Sequence, residues 1–186
     1  DAEVEIWPQD TIWNGRVFAN DLALEIRIPE DFIERPIEVD ADFVQLSSDL
    51  DAGSDNPVRE SEGEWQWVTR LPAINVNCKT CKIDDKSFVD VQARLKPIRG
   101  GVELSSLSAR SNNSQIRSSG FWLVDDGKPH TQISGQLNSD DFGDLLREYG
   151  LETAIRDSAA EIEFGLNWSG HPHQLDFDSL GGSMGW

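Results

Sequence analysis

A chain of 186 residues, 38% of them hydrophobic, is long enough to bury a core, so we expect a folded protein. The formal net charge of −18 at pH 7 repels phosphate backbones at long range, which argues against nucleic acid as a partner. The sequence has no run of roughly 18 apolar residues, and its first residues lack the basic and apolar parts of a signal peptide. We expect the chain, which begins without methionine, to be a processed piece of a longer protein.

The first predicted elements are two strands, 23–28 and 37–46, in which apolar and polar residues alternate with the period of two typical of half-buried strands. We assign residues 1–47 to an N-terminal β segment. Residues 48–64 are acidic, small and poor in apolar side chains, so they cannot offset the entropy of their own ordering. We therefore predict an acidic flexible loop at 48–69. A calcium-binding or docking tail is the alternative, but the spacing matches no EF-hand loop.

The third predicted part, residues 70–186, carries most of the strands. In segment 87–95 the alternation places Val89, Val91, Ala93 and Leu95 on one face. Further alternating segments are 102–107, 116–124, 131–137, 160–168 and 175–180. Turn-forming residues separate many of these segments, and strands this close in sequence usually pair as antiparallel neighbours. We predict antiparallel sheet for most of 70–138 and 159–186.

One segment, 140–149, departs from the period of two and is predicted to be a helix. Ser139 can act as its N-cap, and Gly150 is placed to end it. The apolar residues of this segment recur at the spacing of one helix face: Phe142, Leu145, Leu146 and Tyr149. The predicted fold class is therefore mainly β, an antiparallel sheet with one short α-helix.

The two cysteines, Cys78 and Cys81, are close enough in sequence for a local disulfide, and two packed thiols are the alternative. With His171 and His173 they make a formal Cys2His2 set. Structural zinc sites usually separate their histidines by three to five residues, whereas only Pro172 stands between these two. We predict no metal.

Motifs that support catalysis are missing from the sequence. It contains no Gly-x-Ser-x-Gly elbow, no Walker loop and no Gly-x-Gly-x-x-Gly run. Neighbouring carboxylates such as Asp125 with Asp126, or Glu161 with Glu163, fall in turns or on polar strand faces, where they are typically solubilising charges. We predict that the protein is not an enzyme and uses no cofactor.

The most continuous apolar row is predicted near the end of the chain, where Ile162, Phe164, Leu166 and Trp168 stand at even spacing. Residues of matching parity in the other strands extend it to a common apolar face, if neighbouring registers align. The predicted members are Val89, Val91, Ala93, Leu95, Val102, Leu104, Ile116, Ile133, Leu137, Ile162, Phe164, Leu166, Trp168, Leu175 and Phe177. Such a face must be covered either by the protein's own helix or by a ligand.

Several short motifs, taken in order, resemble the C-terminal region of the YhdP proteins of the AsmA-like family. They are Ile-Arg-Ile-Pro at 26–29, the segment 35–43, Leu-Pro-Ala-Ile-Asn-Val-Asn-Cys at 71–78 with Cys81, Ser-Gly-Phe-Trp at 119–122, the segment 131–137, the helix with its Tyr149-Gly150 end, the segment 155–158, and 166–172. The resemblance covers nearly the whole chain apart from the acidic loop.

The resemblance implies an inner-membrane-anchored, largely periplasmic protein of Gram-negative bacteria. It implies a curved sheet, an open groove or taco-like in shape, that conducts phospholipid to the outer membrane and supports the barrier there. The partners it implies are phospholipid acyl chains, with membranes reached through parts of the protein absent here. It implies neither a cofactor nor covalent chemistry.

Two other function classes stay open on the residues alone. A carbohydrate-binding or adhesin-like β-sandwich would close its apolar faces on each other, whereas a lipid conduit leaves an apolar strip accessible. A hydrolase with dispersed carboxylates is the third hypothesis.

Overall fold

The computed structural model describes residues 2–46, 70–172 and 176–186. In this part of the chain eleven strands form one sheet, accompanied by one short helix. The strands are β1 (Glu3–Gln9), β2 (Ile12–Ala19), β3 (Leu22–Pro29), β4 (Ile37–Leu46), β5 (Ile74–Ile83), β6 (Lys86–Ile98), β7 (Gly101–Arg110), β8 (Ser114–Asp125), β9 (Lys128–Ser139), β10 (Ala160–Ser169) and β11 (Gly181–Gly185), and the helix α1 (Phe142–Glu148) lies between β9 and β10. The mainly β prediction with a single short helix is confirmed.

The strands stand in the sheet in the same order as in the chain. Each pairs with the next in antiparallel fashion, except that β4 and β5 are parallel. The strands within 70–186 pair with one another in antiparallel fashion, as predicted, whereas the sheet as a whole is mixed rather than antiparallel. The parallel pair needs a long connection that returns the chain to the same end of the sheet. That connection contains the predicted acidic loop 48–69, which lies outside the described residues. The division of the chain at this loop stays a prediction.

Strand register separates the sheet into two chemically different sides. One row can be followed through every pairing from β1 to β11: Ile6, Gly15, Ile26, Val39, Val76, Ala93, Leu107, Ser118, Gly135, Phe164 and Met184. The adjacent row on the other side reads Glu5, Arg16, Glu25, Asp40, Asn77, Gln92, Ser108, Arg117, Gln136, Glu163 and Gly185. We call the first side the apolar face and the second the polar face.

Cross-strand ion pairs and hydrogen bonds hold the polar face together. Arg16 binds Glu25 across β2 and β3, and Arg27 binds Asp40 across β3 and β4. Asn77 Nδ2 donates to Asp40 Oδ1 at 2.9 Å across the parallel pair. Facing pairs of this kind stabilise a sheet modestly, because they remain in contact with water.

Three neighbouring strands share an irregularity at the same level of the sheet. Between Ala41 and Phe43, β4 has one residue more than its partner β3, and β6 has one residue more than β7 near Asp90, whose φ is +51°. Because β4, β5 and β6 keep a constant register with one another, β5 follows the same bend at Lys79. In each of the three strands, if even-numbered residues face the apolar side before the bulge, odd-numbered residues do so after it, and the reverse. We call these three positions the aligned bulges.

The ends of two predicted elements need correction. The helix begins at Phe142 with Asp141 as its N-cap, since Asp141 Oδ1 accepts from the Asp144 backbone N–H at 3.0 Å. Ser139, the expected cap, is instead buried at the end of β9. Of the predicted strand 175–180, the described residues 176–180 form a turn, and the strand β11 follows it.

The sheet is open and uncurled, so it does not by itself enclose a groove, and the taco-like shape stays a prediction. Its apolar face is mostly half-buried. Among the described residues, the fully buried apolar side chains are few: Ala41, Cys78, Val102, Ala109, Leu145, Ile162 and Trp168. Within the described ranges no helix is long and apolar enough to span a bilayer.

Candidate functional site: the apolar face

Strand register places twelve of the fifteen predicted face residues on the same side of the sheet. They are Val91, Ala93, Leu95, Val102, Leu104, Ile116, Ile133, Leu137, Ile162, Phe164, Leu166 and Trp168. The even spacing in the sequence was enough to predict this, because side chains alternate strictly along β8, β9 and β10, which pair without a register shift. In β7 a bulge between Leu104 and Leu107 returns Leu107 to this face as well.

The other three predicted face residues are placed elsewhere. Val89 pairs with Arg110 and is 39% exposed on the polar face, because the aligned bulge at Asp90 reverses the parity of β6. Phe177 lies in the turn before β11 and is 78% exposed. Leu175 lies outside the described residues.

The first end of the apolar face is flanked by the helix and the segment that follows it. Gly143 and Leu145 are the buried residues of the helix, and Leu145 is the one with a large apolar side chain. The Phe142 backbone N–H donates to Ser158 O at 2.8 Å, and Arg147 Nη1 donates to Ile155 O at 3.2 Å. These bonds tie the segment 150–159 back to the helix. The nearest strand ends, at Ser139 and Ile162, are buried.

The opposite end of the face is closed by a loop and two tryptophans. Trp168 Nε1 donates to His171 O at 2.9 Å, and Thr131 Oγ1 donates to Gly170 O at 2.8 Å. The Trp122 ring meets the His171 ring edge-on with the centroids 5.6 Å apart. Trp168, Thr131 and His171 are each about 5% exposed or less. We call this arrangement the tryptophan closure.

Between these two ends the apolar face is only partly covered. Phe164, Leu166 and Ile133 are half-buried, although they lie in the middle of neighbouring strands. Gly135 and Gly120 lie beside them on the same face, and because glycine has no side chain, the surface is lower at these two positions. The structure therefore presents a shallow apolar surface between the helix and the tryptophan closure.

The apolar face predicted from the sequence was confined to residues 70–186, so it left out the N-terminal half of the face. The row continues through β1 to β4, where Val4, Ile6 and Trp13 are 60%, 70% and 47% exposed. The signal was present in the sequence, because residues 22–28 and 37–41 alternate as strictly as the later strands. What the sequence did not show is the parallel pairing of β4 with β5 that joins the two halves.

One charged side chain interrupts the apolar face. Among the described strand residues, Lys86 is the one charged residue whose register lies on this side, opposite Ile83. Its ammonium donates to Asp85 Oδ1 at 2.6 Å and lies 5.6 Å from the centre of the Tyr149 ring. The Asp85 hydrogen bond is the main reason that the pKa of Lys86 is raised, with Glu148 adding to it. The amine therefore stays protonated.

The cysteines are joined by a disulfide with their Cα atoms 6.1 Å apart. The aligned bulge at Lys79 puts both on the apolar face, which strict alternation forbids for residues three apart. Of the histidines, His171 is in the tryptophan closure and His173 lies outside the described residues. No group of three or more His, Cys, Asp or Glu side chains in the described part is arranged to hold a metal.

The family model described as YhdP protein matches residues 1–186. The chain belongs to the YhdP protein family. The resemblance found in the sequence motifs is thereby confirmed.

Within the YhdP family the chain is similar to a protein of Escherichia coli (strain K12) named intermembrane phospholipid transporter YhdP. The two are 22% identical over 111 residues, which is 60% of this chain and 9% of that relative. The chain thus spans a small part of the length of the curated relative it matches. No solved structure matches the chain.

Proposed function

We propose that this chain is a periplasmic segment of a YhdP-type lipid transporter, anchored in the inner membrane through other parts of the protein. Its apolar face holds phospholipid acyl chains on their way from the inner to the outer membrane, where the delivered lipid supports the permeability barrier. The observation that carries this proposal is the uncharged row that crosses all eleven strands from Ile6 to Met184. The name of the similar transporter supports it.

The proposed mechanism needs no covalent step. Apolar area that is half-exposed in the free protein gains free energy when acyl chains cover it, at roughly 25 cal/mol per Å². Contacts of this kind are non-directional, so a lipid can exchange one stretch of the face for the next with little change in energy. The polar face remains in water throughout. We propose accordingly that the protein is not an enzyme.

The β-sandwich alternative requires a second layer. In a sandwich, the apolar side chains of one sheet interdigitate with those of another about 10 Å away. The described residues form one sheet, and most of the side chains on its apolar face are half-buried rather than buried. This arrangement favours a surface that accepts a ligand over a closed core.

The test is to place a charge in the middle of the face in the full-length protein. Leu166→Asp and Phe164→Asp put a carboxylate where acyl chains should pass, and a desolvated charge there is costly. Asn167→Asp is the matched control, because it adds the same charge on the polar face of the same strand. We expect all three variants to fold and the first two alone to raise outer-membrane permeability.

Two readouts decide the outcome. Circular dichroism and protease resistance report folding, and uptake of a large antibiotic reports the barrier. Folded Leu166→Asp and Phe164→Asp variants with a normal barrier would contradict the proposal at this strand. If either Asp variant unfolds, Leu166→Gln keeps the test valid, because a neutral polar group is better tolerated but still obstructs acyl chains.

A further inference from the structure

The cleft around Lys86 differs chemically from the rest of the apolar face. It has a volume of about 570 Å³ and lies between the β5–β6 turn and the C-terminal end of the helix. Ile83 and Phe88 give it an apolar floor that continues the apolar face, since Phe88 pairs with Cys81 and Ile83 with Leu46. Charged groups form its rim. We call it the Lys86 cleft.

The Lys86 ammonium is held close to an apolar surface. Its side chain is 19% exposed, and one hydrogen bond goes to Asp85. An ammonium has three donors, so donors remain beyond the Asp85 bond for an anionic ligand group. Aliphatic stems of this kind lie along apolar surface with the charged end at its margin. A ligand in which an apolar body is joined to an anionic group fits this geometry.

The remaining charges on the rim are all negative. Asp84, Asp85 and Glu148 line the cleft together with the single cation Lys86, which gives a local charge of −3 + 1 = −2. The Tyr149 ring adds an aromatic face that also attracts cations. A bare phosphodiester is therefore attracted by one group and repelled by three. A phosphodiester that carries its own ammonium pairs with both signs of charge.

We propose that the Lys86 cleft is a headgroup site that selects zwitterionic phospholipids, with a phosphate and an ammonium, over anionic ones. The phosphate binds Lys86, the ammonium lies among the carboxylates and the Tyr149 ring, and the acyl chains extend over Ile83 and Phe88 onto the apolar face. The proposal rests on the lipid-binding function proposed above. It adds a selection among lipids, which an uncharged surface cannot supply.

The experiment places a photo-reactive residue in the full-length protein, so that only lipid at a chosen position is captured. Ile83→p-benzoylphenylalanine reports the Lys86 cleft, and Leu166→p-benzoylphenylalanine reports the uncharged middle of the face. Vesicles contain equal amounts of palmitoyl-oleoyl phosphatidylethanolamine and phosphatidylglycerol. Mass spectrometry of the cross-linked peptides gives the ratio of the two lipids at each position.

We expect phosphatidylethanolamine to exceed phosphatidylglycerol roughly fivefold at position 83, as for one favourable charge contact near a protein surface, and to equal it at position 166. In an Asp84→Asn/Asp85→Asn background the ratio at position 83 should fall toward one. Asp125→Asn/Asp126→Asn is the matched control, because it removes two aspartates from another hairpin turn. Asp84 and Asp126 share positive φ values of 53° and 46°, which asparagine tolerates equally well.

Each outcome has one meaning. Equal ratios at both positions overturn the headgroup site while leaving the lipid-binding function intact. Capture at position 166 with none at position 83 also overturns the site. No capture at either position counts against the proposed function itself. If the double asparagine variant fails to fold, Glu148→Gln on the exposed helix end removes one carboxylate from the same rim and must lower the ratio.

Discussion

Glycines in the middle of the apolar face are fixed by the close approach of neighbouring backbone. A Cβ on Gly135 would lie 2.2 Å from Arg117 O and 2.7 Å from Ser118 Cβ, although Gly135 does not have a positive φ. On Gly165, in the adjacent strand, the nearest contact would be Ser183 Oγ at 3.9 Å. Two glycines in neighbouring strands therefore have opposite tolerance for a methyl group.

We predict that Gly135→Ala destabilises the protein by about 1–3 kcal/mol, the usual cost of forcing extra volume into a packed position. Gly165→Ala should stabilise it by about 0.4–1 kcal/mol, because alanine restricts the unfolded chain without a clash. Urea unfolding followed by circular dichroism measures both values. Equal effects of the two substitutions would contradict the close approach at Gly135.

Single residues also show which side-chain positions could be predicted from the sequence and which could not. Phe164 and Leu166 were placed correctly because their strand is regular and parity is preserved along it. Val89 was not, since one extra residue at Asp90 moves it to the polar face. A bulge leaves little trace in a single sequence, because aspartate is also typical of turns, where it tolerates a positive φ.

The aligned bulges in β4, β5 and β6 act as one element. In three strands at once they exchange the residues that face the two sides of the sheet. This exchange brings Cys81 and Phe88 onto the apolar face beside the Lys86 cleft. Cys78 and Cys81 span the bulge on β5, and their disulfide links the residues on either side of it. We infer that the disulfide holds the bulge in place, so that Phe88 stays on the apolar side.

We predict that Cys78→Ala/Cys81→Ala lowers the free energy of unfolding by about 2 kcal/mol, the value that loop-closure entropy gives for so short a loop. The same loss should appear when the unsubstituted protein is reduced, and the double variant should not respond to the reductant. Non-reducing peptide mapping checks the bridge directly. Free thiols in protein isolated without reductant would rule out this role.

Local patterns were sufficient to predict which segments are strands and which is a helix. They were less informative about where each element ends and which strands pair. The helix spacing of Phe142, Leu145 and Leu146 identified α1, but its N-cap was predicted at Ser139. That residue is buried at the end of β9, and Asp141 accepts the capping bond instead. The parallel β4–β5 pair could not be read from the chain, because its connection passes through residues with no strand or helix pattern.

In the part of the chain that the structure describes, the molecule consists of one sheet with a single short helix near its apolar face. A face that crosses eleven strands is too wide for a helix of seven residues to cover, which explains why most of its side chains are half-buried. The two ends of the C-terminal strands are closed by the helix and by the tryptophan closure. The N-terminal strands β1 to β3 have no such cover in the described part of the chain.

An incompletely covered face has a thermodynamic signature at the scale of the molecule. Compact proteins unfold with a heat-capacity change of about 12–15 cal/mol/K per residue, most of it from newly exposed apolar surface. Because much of the apolar face is already exposed here, we predict a smaller value for this chain by differential scanning calorimetry. Adding a short-chain phosphatidylcholine should raise the melting temperature, since a ligand that binds only the folded state stabilises it. Melting must be independent of protein concentration, which excludes cover by a second copy. A heat-capacity change in the usual range, with no response to the lipid, would mean that the apolar face is closed in solution.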